Sequence, residues 1–156
     1  MSFALSLALG IGLVNGLRTM TAPAVVAWAA HLGWINLSGS RLSFMGSLWA
    51  VGFFTLGALA EYVFDLLPNT PPRTGARGLI ARIVMGLLTG ACLAVAGGVS
   101  PWLGAPIGAV GAIAGAFGGY QARVRLVRAL RVPDAVIAIP EDLVAVGIGL
   151  LLVSRF

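Results

Sequence analysis

Lysine is absent. All ten basic residues are arginine, so no phosphate-binding loop of the kind that needs a lysine can exist here. The one cysteine, Cys92, excludes an internal disulfide, and the one histidine, His31, has no second histidine with which to share a metal. No H-E-x-x-H and no G-x-S-x-G occurs. A Cys92–His31 dyad would lack a third member, so neither a catalytic group, a metal nor a cofactor is expected, and the chain reads as a non-enzyme. Charge is also scarce. Charged residues make up 10% of the chain and only five are acids: Glu61, Asp65, Asp134, Glu141 and Asp142. A soluble domain carries about 25% charged residues. With 59% hydrophobic residues and 22 glycines besides, the composition excludes both a soluble domain and a disordered chain.

What is present is a series of apolar runs. At about 20 residues per span, 156 residues accommodate roughly five transmembrane helices in one multi-pass domain. The first takes residues 1–14 and 22–34, either as one long tilted helix or as two short ones separated by residues 15–21. It has no basic leader, so it reads as a retained span. The second covers 43–64, the third 78–99, the fourth 102–120 with a helical continuation through the arginines at 123–131, and the fifth 134–153. Three prolines in the stretch 67–75 stop a helix between the second and third spans.

Arginine placement orients these spans. Arg73, Arg77 and Arg82 lie between spans two and three, and Arg123, Arg125, Arg128 and Arg131 between four and five. Arg41 and Arg155 fall on the other side. The positive-inside rule makes the richer side cytoplasmic, which in a five-span arrangement puts the N-terminus inside and the C-terminus outside. The same rule accounts for the net charge of +5, so nucleic acid is not an expected partner. Trp34, Trp49 and Trp102 fall where outer interface anchors belong.

Three patterns carry most of the information. Gly104, Gly108, Gly111, Gly115 and Gly118 are spaced 4, 3, 4 and 3, a small-residue stripe on one helix face. Such a stripe lets another backbone approach closely, whether within the chain or across a homo-oligomer seam. The second pattern is residues 15–23. Thr21 could cap a restarted helix with Pro23 in its first turn. A helix starting inside the membrane would aim free N–H groups, Arg18 and the hydroxyls of Thr19 and Thr21 at an anion. The alternatives are a continuous helix whose Arg18 pairs with an acid, and an Arg18 that snorkels to the outer interface.

The third pattern is Glu141-Asp142, two adjacent carboxylates inside the last span behind Pro140. Each costs about 2.5–3.5 kcal/mol on insertion scales and calls for a partner or an aqueous cavity. At 1.5 Å per residue Glu141 lies roughly 10 Å and Arg82 roughly 6 Å from the cytoplasmic boundary, whereas Arg18 in a continuous helix would be roughly 22 Å in. Depth therefore favours Arg82 as partner of the two acids, unless a break folds Arg18 back. Glu61 and Asp65, four apart, share a helix face. They suit either an interfacial ion cluster with Arg73, Arg77 or Arg82, or the oxygen ligands of a cation.

The segments 16–23 (GLRTMTAP), 67–74 (LPNTPPRT), 111–120 and 132–134 (VPD), with Glu141-Asp142, resemble the bacterial membrane family called domain of unknown function 4126. The resemblance spans nearly the whole chain. It implies an integral protein of the bacterial cytoplasmic (inner) membrane, and supplies no activity, substrate or catalytic residue.

The expectation is thus an all-α integral membrane protein whose first and last helices are either continuous or broken and re-entrant. It would move or bind a polar or anionic solute, a cation or a lipid headgroup at Arg18, Thr19, Thr21, Glu61, Asp65, Arg82, Glu141 and Asp142. The alternative is a structural or oligomer-forming membrane protein with the glycine stripe as seam and the charges as internal salt bridges.

Overall fold

The computed structural model describes residues 2–66 and 75–156. The turn-rich stretch 67–74, with Asn69 and Arg73, lies outside the described residues. The described chain is helical, in the order α1 (Phe3–Leu17), α2 (Thr21–His31), a 3-10 turn (Ser43–Gly46), α3 (Leu48–Asp65), α4 (Ala76–Ala96), α5 (Pro101–Leu130) and α6 (Asp134–Val153). Four helices are long and apolar enough to cross a membrane: α3, α4, α5 and α6.

Local chemistry sets the boundaries. The Ser47 hydroxyl accepts from Ala50 N at 3.2 Å and starts α3. Gly98, at φ 69°, takes the left-handed backbone that closes α4. Pro101 opens α5 in the first turn, where its missing N–H costs nothing. Pro140 does not break the last helix: α6 runs through it without interruption.

The first span is broken. Arg18 adopts an extended conformation (φ −139°, ψ 122°) and ends α1, and α2 begins three residues later. The chain also reverses. Gly10 of α1 lies against Leu152 of α6, and Val25 of α2 lies against Gly149, less than one turn away on the same helix. In a continuous helix residues 10 and 25 would be about 22 Å apart. So α1 and α2 form a hairpin whose tip is residues 18–20.

This reversal overturns the expected placement of the termini. A Cβ on Gly97 would touch both Ala4 and the Phe156 ring, so the start of α1 and the end of α6 share one end of the bundle. Trp34, Trp49 and Trp102 sit at that same end, 48%, 90% and 86% exposed, as anchors facing a surrounding medium would be.

α1, α4 and α5 pack against one another, with α1 parallel to α5 and antiparallel to α4. The backbones come close. A Cβ on Gly111 would stand 3.0 Å from Gly12 Cα, and one on Gly115 3.0 Å from Gly16 Cα. Across the other neighbour, a Cβ on Gly90 would be 2.5 Å from Gly104 O and one on Gly86 2.7 Å from Gly108 O. Gly104 thus meets α4, Gly108 meets both α4 and Gly12 of α1, and Gly111 and Gly115 meet α1. Gly118 departs from the expected stripe, having nothing within 4 Å of a would-be Cβ. α2 lies on the outer flank of this triple, between α3 and α6, and completes the apolar core with Ala22, Val25, Val26 and Ala29.

A candidate charge network at the hairpin tip

A helix break inside an apolar bundle leaves backbone groups with no water to satisfy them. Here side chains from other helices supply the partners. Glu61 of α3 accepts from Thr19 N at 2.8 Å through one carboxylate oxygen and from Met20 N at 2.9 Å through the other. A carboxylate at a helix N-terminus is favoured by both the free N–H groups and the helix dipole. At the other side of the break, Arg82 of α4 donates from Nε to Gly16 O at 3.1 Å, near the carbonyl end of α1, and from Nη1 to Gly78 O at 3.0 Å. Its Nη2 lies 3.9 Å from Glu61, so the two capping groups also face each other.

Among the described residues Arg18 is the best-buried charge, with its side chain 1% exposed. It forms ion pairs with Asp65 of α3 at 2.8 Å and with Asp142 of α6, and its guanidinium lies 5.9 Å from the centre of the Tyr62 ring. Nη2 faces Asp65 and Nε faces Asp142. Asp65 is shared: its Oδ2 also accepts from Arg123 of α5 at 2.7 Å. Arg123 in turn donates to both oxygens of Asp134 and to Glu141 at 3.3 Å. All five acids of the chain therefore converge on this level of the bundle, with Arg18, Arg82 and Arg123 among them. Removing one member of such a buried pair leaves an uncompensated charge, at about 3–5 kcal/mol.

Two expectations from the sequence need correction. Asp142 takes Arg18 and Glu141 takes Arg123, whereas Arg82 turns to the α1 carbonyl end and Glu61. The fold-back is the cause: it brings Arg18 to the level of Asp142, which a continuous helix would have placed out of reach. Thr21 does not cap α2, whose N-cap is Met20; its hydroxyl pairs with that of Tyr62 at 2.8 Å instead. The anion-facing N–H groups of Thr19 and Met20 are filled by the chain's own Glu61.

Arg123, assigned by the sequence to the cytoplasmic loop between the fourth and fifth spans, and Asp134, at the start of the fifth span, are members that the expected site did not include. The signal was present. Arg123 follows Ala116 and Gly119 at spacings of 3 and 4, which continues the inward stripe of α5, whereas Arg125 and Arg128 fall off it. A second buried polar contact was also missed. Asn15 of α1 donates to Thr89 of α4 at 2.6 Å and to Ile11 O at 3.0 Å, while its Oδ1 has no partner among the described residues. Among those residues, no group of three or more His, Cys, Asp or Glu side chains is arranged to hold a metal ion.

The helices and the network define a multi-pass membrane class of protein by length and apolarity. No family model, no curated protein and no solved structure matches the chain.

Proposed function

We propose that this chain is a transport or binding protein of the bacterial inner membrane that takes a small anionic solute at the hairpin tip, from the cytoplasmic side. Arg77, Arg82, Arg123, Arg125, Arg128 and Arg131 mark that side by the positive-inside rule, and the two termini then lie outside. The resemblance to the membrane family named above supports the location, and membership stands as part of the proposal. The reading assigns no catalytic step.

The observation that carries it is the Glu61 carboxylate on the Thr19 and Met20 N–H groups beside Arg82. A half-helix N-terminus within the bilayer is a seat for a carboxylate or phosphate oxygen pair. Glu61 fills it as a tethered stand-in, and an incoming anion displaces it.

One observation favours the structural alternative. The break is satisfied on both sides by Glu61 and Arg82, so the charges could serve only to hold the hairpin. The oligomer version of that alternative needs a seam other than Gly104, Gly108, Gly111 and Gly115, which meet neighbours within the chain.

Proteoliposomes separate the two. Uptake of labelled succinate or inorganic phosphate, lost in Arg18→Gln, supports transport. Absence of uptake together with an unchanged melting temperature of the wild-type protein in either anion would leave the network structural.

A further inference from the structure

The same network has a consequence on the outside of the bundle. Every acid is drawn into contacts with Arg18, Arg82, Arg123 or the α2 N–H groups. Among the described residues at that end, the exposed charges with no role in the network are Arg77, Arg125, Arg128 and Arg131. No carboxylate dilutes them except Asp134, which is already bound to Arg123.

Most of this charge sits on one projection. α5 has 30 residues, about 45 Å of helix against a hydrocarbon core of about 30 Å. Beyond Arg123, residues 124–130 are exposed or half-buried. Gln121, Arg125 and Arg128 fall at spacings of 4 and 3, on the face opposite Arg123. Leu126 and Leu130, 46% and 59% exposed, fall on the other side of the helix from Arg125 and Arg128. A helix with a guanidinium stripe on one face and exposed leucines on the other suits the boundary between headgroups and acyl chains. Guanidinium also matches phosphate oxygens in a bidentate way that an ammonium does not.

We propose that residues 121–131 form a binding surface for anionic phospholipid headgroups of the leaflet on that side. Arg125 and Arg128 hold the phosphate, and Leu126 and Leu130 lie against the acyl chains. Arg131, at the left-handed end of the helix (φ 52°), extends the charged edge. The surface is distinct from the hairpin-tip site, and neither proposal depends on the other.

Native mass spectrometry of the full-length protein, with phosphatidylglycerol competing against phosphatidylcholine, reads the preference directly. Each arginine removed should lower the preference for phosphatidylglycerol about five-fold. Arg125→Gln/Arg128→Gln should thus lose about 25-fold, while the Lys/Lys pair keeps part of it. Arg155→Gln, at the opposite end, is charge-matched to Arg125→Gln or Arg128→Gln alone and should leave the preference unchanged. Retention of the preference in the Gln/Gln variant would overturn the proposal. So would a loss in Arg155→Gln of about five-fold, equal to that of Arg125→Gln alone, which would mean that net charge alone sets it. Stronger binding of polyuridylate than of phosphatidylglycerol to the same surface would also overturn it, in favour of a nucleic-acid partner.

Discussion

Arg18 and Asp142 form an ion pair that exists only because the chain turns back at residues 18–20. α1 carries Arg18 to the level of the acids, α2 leaves in the opposite direction, and Asp142 meets the guanidinium from the middle of α6. The energetic weight of the break therefore rests on contacts between helices far apart in sequence.

The first prediction concerns that pair. Arg18→Ala should destabilise the protein by about 3–5 kcal/mol, because Asp65 and Asp142 lose a shared buried cation. Adding Asp142→Asn should recover part of the loss. Arg82→Ala with Asp142→Asn should be additive to within about 0.5 kcal/mol, as expected for residues that do not share a contact. Melting temperatures of the three single and two double variants in one detergent supply the comparison. Additivity in the Arg18 cycle would separate Arg18 from Asp142.

The second prediction uses the two kinds of glycine on α5. A Cβ on Gly108 runs into the α4 backbone at Gly86 and Gly90, so Gly108→Ala should cost about 1–3 kcal/mol through overpacking. Gly118 faces open space, and Gly118→Ala should be neutral or stabilising by up to about 1 kcal/mol through helix propensity. Thermal unfolding of the pair checks the direction. Equal effects at both positions would contradict the helix contacts.

The third prediction is topological. Reporters fused at the N-terminus and at the C-terminus should fall on the same side of the membrane. A reporter placed after Arg131 should fall on the other. Termini on opposite sides would restore a first span that crosses without reversing.

Much of this architecture is legible in the sequence. The apolar runs of α3 to α6 mark the four long helices, and the glycine spacing marks the face of α5 that meets its neighbours. The interruption at 15–21 is legible too, but its geometry is not. A break and a tilted continuous helix have the same hydropathy, and only contacts with Leu152 and Gly149 reveal the reversal. Partner choice was lost for the same reason. Depth along a straight helix favours Arg82, and a single extended residue at Arg18 changes the ranking. Arg123 escaped because an arginine near a basic loop reads as orientation signal unless its place on the inward stripe is weighed as well.

The fourth prediction follows from Arg123, which joins α3, α5 and α6 through Asp65, Asp134 and Glu141. Arg123→Gln should lower stability more than Arg125→Gln or Arg128→Gln, by about 3 kcal/mol against changes within about 0.5 kcal/mol. Unfolding of the three variants side by side measures it. Similar losses in all three would place Arg123 among the merely exposed arginines.

The most direct test of the proposed anion seat is to vacate it. In Glu61→Ala the Thr19 and Met20 N–H groups and Arg82 lose their carboxylate, and formate is small enough to replace it. Formate should raise the melting temperature of this variant saturably, equivalent to about 1.4 kcal/mol at ten times its Kd. Wild-type protein, with Glu61 in place, should shift far less, and chloride at equal ionic strength should not substitute. An equal formate effect on both proteins, or none on the variant while it remains folded, would contradict a displaceable anion seat at the hairpin tip.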